Sequence, residues 1–153
     1  MDYGKITMMS QDDLSVLSHL RKNSRSSLVE ISRGMNMPQS TAYEKLRKLE
    51  KKVIRKHTSL VNFDSLGYQT RINLVIKVSK DQRHALQKYL DEHENVNTAF
   101  RVNSGWDFLA EIIFRDLTQS NDFVEELKEM FELQERLELQ QIEEVKKETF
   151  LAK

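Results

Sequence analysis

Over the first sixty residues apolar side chains recur at intervals of three and four, and further along the chain they alternate every second residue. Leu14, Leu17 and Leu20 lie just behind Asp12 and Asp13, whose carboxylates suit the positive end of a helix. The spacing predicts a first helix, broken by Asn23-Ser24-Arg25-Ser26-Ser27. Ser27 followed by Glu30 three residues later has the capping-box pattern and opens a second helix with Leu28, Ile31 and Met35 on one face. Asn36 tolerates the left-handed backbone that ends such a helix, and Pro38 is accommodated at the start of the next. A third helix over about 39–52 places Ala42, Leu46, Leu49 and Val53 in one narrow stripe that must face a core. Its opposite face presents Ser40, Glu44, Arg47 and Lys51, flanked by Gln39, Thr41, Tyr43 and Lys48. The next segment, 54–61, is strand-like and carries Arg55, Lys56 and His57, so it reads as a β-wing.

The rhythm then changes. Residues 72–78 alternate apolar side chains and are rich in β-branched types, which predicts a strand. A helix over 81–93 follows, with Leu86, Tyr89 and Leu90 at helical spacing. A second strand spans 96–102, Asn103-Ser104-Gly105 supplies hairpin-turn chemistry, and a third strand spans 108–114. Ser120 or Asn121 caps a further helix containing Phe123, Val124, Leu127, Met130 and Phe131. The order is β-α-β-β-α, and one more strand completes a split-βαβ, ferredoxin-like sandwich. Residues 133–147 leave that strand open. Their Glu, Gln, Leu and Lys content favours helix, yet Leu137, Leu139, Ile142 and Val145 hold no clean helical stripe.

Composition narrows the chemistry. The 153 residues suffice for one ordinary domain or two small ones. No stretch approaches the roughly 18 uninterrupted apolar residues of a spanning helix, and residues 1–10 read as no secretion signal. A cytoplasmic location without membrane partners is expected. Cysteine is absent, which removes disulfides, thiol nucleophiles and thiolate metal sites. His19, His57, His84 and His93 are too dispersed to form a local ligand set, so no metal and no cofactor is expected.

The zero net charge conceals an asymmetry. Residues 1–62 hold 12 Lys/Arg against 6 Asp/Glu, whereas residues 63–153 hold 12 against 18. Opposite balances predict two modules, with a boundary after Asn62. A basic module of this size is the electrostatic footprint of a nucleic-acid binder. Two helices, a short turn and a third helix with a basic outer face form the helix-turn-helix order. Double-stranded DNA is the partner this predicts. Arg47, Lys48, Lys51, Arg55 and Lys56 are candidate phosphate contacts, and Gln39, Ser40, Thr41, Tyr43 and Glu44 are candidate base readers.

Several motifs stand in one register. They are Asp13-x-x-Val16-Leu17-x-x-Leu20, Arg25-x-Ser27-x-x-Glu30-Ile31, Leu46-Arg47-Lys48-Leu49-Glu50 before Val53-Ile54, Leu66-Gly67, Trp106-Asp107-Phe108-Leu109 and Glu143-Glu144-Val145-Lys146. Together, over roughly residues 10–150, they resemble the Lrp/AsnC (leucine-responsive, feast/famine) transcription regulators. The resemblance implies an α+β chain: an N-terminal winged helix-turn-helix domain over 1–62 joined to a C-terminal βαββαβ ferredoxin-like domain over 63–153. It further implies a closing strand over 136–148, a homodimer able to assemble into tetramers or octamers, and an amino-acid effector. Ser104, Gly105, Trp106 and Asp107 match the hairpin that helps form the effector site in such proteins, and Trp106 fits a subunit contact equally well.

The chain departs from the family pattern in places. Lys52 stands where a glycine precedes the wing, Pro38 replaces a small cap residue, and Ser24 and Asn36 occupy positions where glycine is common. In the hairpin the glycine falls one position later than usual, which leaves the effector's identity open. Two other classes fit parts of the chain. Sirohaem decarboxylases share the architecture but need histidines and arginines in a cleft, and His84 and His93 point to opposed sides of one expected helix. The other is an interaction module whose helix-turn-helix only packs. Outward Arg47 and Lys51 favour a regulator that is not an enzyme.

Overall fold

The computed structural model describes residues 9–152, and residues 1–8, part of the segment read as lacking a secretion signal, lie outside the described residues. The chain divides into two compact units. One runs up to Leu60 and includes the stretch from Val145 onward, and the other spans Val61–Glu144.

Three helices build the first unit: α1 (Gln11–Lys22), α2 (Leu28–Gly34) and α3 (Gln39–Lys52). Both of the first two open on capping boxes. Ser27 and Glu30 close the expected one on α2, with the Ser27 N–H donating to Glu30 Oε2 at 2.6 Å. On α1 the cap is Ser10, whose hydroxyl accepts from the Asp13 N–H at 3.1 Å while the Asp13 carboxylate accepts from the Ser10 N–H at 3.2 Å. The helix therefore starts before the acids rather than after them. Its buried face is Asp13, Val16 and Leu20, and Leu14 and Leu17 are only half-buried.

Asn36 adopts the expected left-handed backbone (φ 50°), and Pro38 precedes α3 without a side-chain cap. Val16, Leu20, Ile31, Ala42 and Leu49 form the core of this unit. Val53, expected in the α3 stripe, is exposed. The chain leaves helical geometry there, the Ile54 N–H closes on the Leu49 carbonyl at 2.8 Å, and Ile54 packs against the core instead. The β-wing expected over 54–61 is not a strand. Among the described residues the sheet contains only the four strands of the second unit, so this segment has no ladder partners.

The second unit opens with a short 3₁₀ turn, Asp64–Leu66, which Gly67 ends at φ 83°. It continues as β1 (Thr70–Val78), α4 (Arg83–Glu92), β2 (Val96–Arg101), β3 (Phe108–Phe114), α5 (Leu117–Met130) and β4 (Leu133–Gln140). The four strands form an antiparallel sheet in the order β2-β3-β1-β4, the ferredoxin-like arrangement. Strict alternation along β1 sends Ile72, Leu74, Ile76 and Val78 into the core with Leu86 and Leu90 of α4 and Phe123, Val124 and Leu127 of α5. Burial of each such side chain contributes roughly 1.5–3 kcal/mol.

Two boundaries in this unit differ from expectation. Asp116, not Ser120 or Asn121, caps α5, its carboxylate accepting from the Gln119 N–H at 2.9 Å, and Ser120 is buried inside the helix. The strand expected over 136–148 runs Leu133–Gln140 instead. Gln140 pairs with Ile72, the Gln141 N–H still reaches the Arg71 carbonyl, and the β1–β4 ladder ends there, so 141–148 is not part of the strand.

Candidate nucleic-acid interface

The candidate interface is built on α3. Burial of Ala42 and Leu49 against Val16 and Ile31 fixes which side of this helix faces out. Gln39, Ser40, Tyr43, Glu44, Arg47, Lys48 and Lys51 are exposed, Thr41 is half-buried, and Arg55 and Lys56 are exposed on the segment that follows. The Arg47 guanidinium lies 5.8 Å from the centroid of the Tyr43 ring, a cation–π contact one helical turn along.

The lysines of α3 divide into two groups. Lys48 donates to Asp13 Oδ2 at 2.6 Å, and Lys45 approaches Asp13 Oδ1 at 3.4 Å and Asp12 at 3.4 Å. Asp13 itself is 1% exposed. Its carboxyl is held far below the ordinary carboxylate range, chiefly by the Lys48 ammonium and against the opposing effect of burial, with Ser10 and Lys45 adding to the same direction. Arg47, Lys51, Arg55 and Lys56 have no ion-pair partner among the described residues. Lys48, expected among the phosphate contacts, thus also ties α3 to α1, with its side chain still 45% exposed.

The first unit holds a further group of cations that helical patterning does not single out. Arg21, Lys22 and Arg25, from the end of α1 and the turn after it, line a cleft with Lys56 and His57. Only the fold brings the two stretches together, although their charges are plain in the sequence.

In the second unit the hairpin turn carries two successive left-handed residues, Ser104 (φ 61°) and Gly105 (φ 92°), with the Trp106 N–H closing on the Asn103 carbonyl. That is the primed turn that suits a right-twisted hairpin, and it accounts for a glycine at the second central position. Ser104 and Gly105 are exposed and Trp106 is half-buried. Asp107 points inward. It is 3% exposed, accepts the Val78 N–H at 3.0 Å and pairs with Arg83 Nε at 2.6 Å. The fold therefore brings together Ser104, Gly105 and Trp106 at the surface and commits Asp107 to holding the hairpin onto β1 and α4.

The histidines of α4 and its end separate in the same way. His84 is exposed, whereas His93 accepts the Asn95 N–H at Nδ1 and packs edge-on against Phe123 at 4.8 Å. No cluster of three or more His, Cys, Asp or Glu among the described residues is arranged to hold a metal ion, and no described helix is long and apolar enough to cross a membrane.

Comparison with known proteins agrees with this geometry. A winged helix-turn-helix DNA-binding family matches residues 10–52. The HTH-type transcriptional regulator FL11 of Pyrococcus abyssi is 27% identical over 118 residues, which cover 76% of this chain and 78% of that protein. Among solved structures, the Neisseria meningitidis transcriptional regulator NMB0573 in complex with L-Met superimposes with a TM-score of 0.83 at 22% identity, covering 91% of this chain and 93% of the other. LrpC of Bacillus subtilis superimposes with a TM-score of 0.82 at 20% identity, covering 90% and 97%. The N-terminal module is thus matched in sequence by a winged helix-turn-helix DNA-binding family over residues 10–52, and the chain as a whole has the fold of LrpC and is similar in sequence to HTH-type transcriptional regulators.

Proposed function

We propose that this chain is a sequence-specific, DNA-binding transcriptional regulator that works as a homodimer and answers to an amino acid or related small metabolite. The observation that carries the DNA reading is the division of cations on and after α3. Asp13 takes up Lys45 and Lys48, while Arg47, Lys51, Arg55 and Lys56 stay outward without carboxylate partners. Outward cations without internal partners are free to neutralise phosphates, and Gln39, Ser40, Thr41, Tyr43 and Glu44 beside them carry groups that read base edges. In this reading the first unit binds DNA, and the second unit, Val61–Glu144, assembles the protein and senses the effector, so that the stretch from Val145 goes with the DNA-binding unit.

The uncovered face of the sheet supports the dimer. Ladder pairing places Phe100, Leu109, Val75 and Leu137 in one row across all four strands, with Phe100 57% and Leu137 45% exposed. A contiguous apolar row on one sheet face is a surface that a second copy covers. Two-fold pairing would set two α3 helices on half-sites about one DNA turn, roughly 10 bp, apart or a multiple of it. The effector part of the reading rests on the surface turn of exposed Ser104 and Gly105 with half-buried Trp106, and on the L-Met bound by the Neisseria relative.

A titration against the DNA upstream of its own gene, at two salt concentrations and with and without a pool of amino acids, tests all three parts. Specific binding that weakens with salt and shifts with the pool supports the whole reading. Specific binding indifferent to every amino acid removes the effector part. Absence of binding at either salt removes the DNA reading.

A further inference from the structure

The first unit contains a basic cleft of about 450 Å³ in which the chain places a carboxylate of its own. Leu17, Leu20 and Ile54 give it an apolar wall, and Arg21, Arg25 and Lys56 supply charge. Glu148 is the one acid among the described residues that line it.

The seat of that acid is Arg21. Its Nη2 donates to the Glu148 carboxylate at 2.9 Å and to the Glu148 backbone carbonyl at 2.8 Å, and its Nε donates to the Phe150 carbonyl at 3.1 Å. The convergence of carbonyl and carboxylate on one guanidinium nitrogen goes with a left-handed backbone at Glu148 (φ 51°), and Leu151 is left-handed as well (φ 62°). Neither residue is glycine, so the docked segment adopts conformations that L side chains disfavour. The ion pair is also open to water, with side chains 33% and 54% exposed. Exposed pairs of this kind contribute little net stability and are readily displaced by a competing anion.

The guanidinium fork that receives a carboxylate receives a phosphodiester equally well. Lys56 belongs both to this cleft and to the Arg55-Lys56 pair that leaves α3, so the cleft continues the cationic surface described above. We infer that the Arg21 cleft is a second contact surface for DNA phosphate and that Glu148 occupies it as an internal competitor. This rests on the DNA-binding reading and goes beyond it. The segment that follows Glu144 becomes a brake on DNA affinity, released when a phosphate replaces the Glu148 carboxylate on Arg21.

The test uses the full chain and a random-sequence duplex, titrated at two salt concentrations. Glu148→Gln keeps the shape of the side chain and removes its charge. It is expected to bind about two- to fivefold tighter than the parent, the range set by one exposed ion pair. Its dependence of affinity on salt should be steeper by about one phosphate contact. Glu143→Gln, which removes the same charge outside the cleft, should bind as the parent does. Arg21→Lys, which keeps the charge but loses the fork, should lessen the gain from Glu148→Gln, and Arg21→Ala should abolish it. Thermal unfolding of each variant confirms that it is folded.

Equal affinity of Glu148→Gln and parent overturns the inference, as does a gain that persists in full in the Arg21→Ala background. If Arg47→Ala still weakens binding while Glu148→Gln changes nothing, the brake falls and the DNA reading stands. If neither the parent nor any variant binds duplex, both fall.

Discussion

Lys48 of α3 donates to Asp13 of α1 across 2.6 Å, so one lysine of the helix that faces outward is fastened into the domain beneath it. The same carboxylate closes the capping box of α1 through the Ser10 N–H. One buried acid therefore sets where α1 starts and how α3 lies against it.

Loss of that acid should loosen the first unit. Asp13→Ala leaves the Lys48 ammonium and the Ser10 N–H without their acceptor and leaves Lys45 with Asp12 as its remaining carboxylate, a cost of about 1–3 kcal/mol. Thermal unfolding at neutral pH should show a lowered midpoint for the first unit, and an unchanged midpoint would remove Asp13 from its structural role.

The same residue predicts a pH dependence. Its carboxyl titrates far below the ordinary carboxylate value in the folded state because the Lys48 ammonium stabilises the charged form. The stability it contributes is fully present above its unfolded value, near 4, and is lost as pH falls from there toward the depressed folded value. Unfolding midpoints measured from neutral pH downward should fall for the parent in that window. Asp13→Asn should start lower and fall less, and parallel curves would contradict the assignment.

Outward cations should act on DNA without acting on assembly. Replacement of Arg47 and Lys51 by Ala should weaken duplex binding and flatten its salt dependence by about one unit for each phosphate contact removed. Size measurements should show the same state of association for the variant as for the parent. Undiminished affinity at low salt would show that α3 does not meet DNA through this face.

The hairpin predicts a division between two neighbours. Asp107 is buried and holds both the Val78 N–H and Arg83, so Asp107→Ala should destabilise the second unit by about 3 kcal/mol. Trp106→Ala alters a half-buried side chain at the surface of the turn and should leave the unfolding midpoint nearly unchanged while altering the response to an amino acid. The reverse pattern, with Asp107→Ala as stable as the parent, would return Asp107 to the candidate effector contacts.

On the sheet, Val75 and Leu109 sit side by side in the apolar row. Val75→Lys places a charge in the middle of it and should convert a dimer to a monomer in analytical ultracentrifugation, since an unpaired charge is costly to bury. A dimer that persists would move the interface elsewhere.

What the sequence determined by itself was whatever rests on neighbours in the chain. The Ser27–Glu30 box, the left-handed Asn36, the alternation of β1 and the Asn103-Ser104-Gly105 turn all depend on contacts a few residues apart. They are written into local spacing, and together with the charge asymmetry they sufficed to order the elements up to α5 and to mark the outward face of α3. The last strand stayed open on pattern and was expected only from the family resemblance.

Tertiary structure decided whatever depends on a partner distant in sequence. The strand β4 ends where its pairing with β1 ends, at Gln140 opposite Ile72 with one further bond from the Gln141 N–H to the Arg71 carbonyl, and that partner lies far earlier in the chain. The segment 54–61 has strand-like residues but no ladder partner among the described residues, and Ile54 replaces Val53 in the core because the chain leaves the helix between them. Lys48 and Asp107 are an ordinary lysine and an ordinary aspartate in the sequence. Only packing places each against an opposite charge and assigns it to holding the fold, because a buried carboxylate is tolerated only where such partners converge on it.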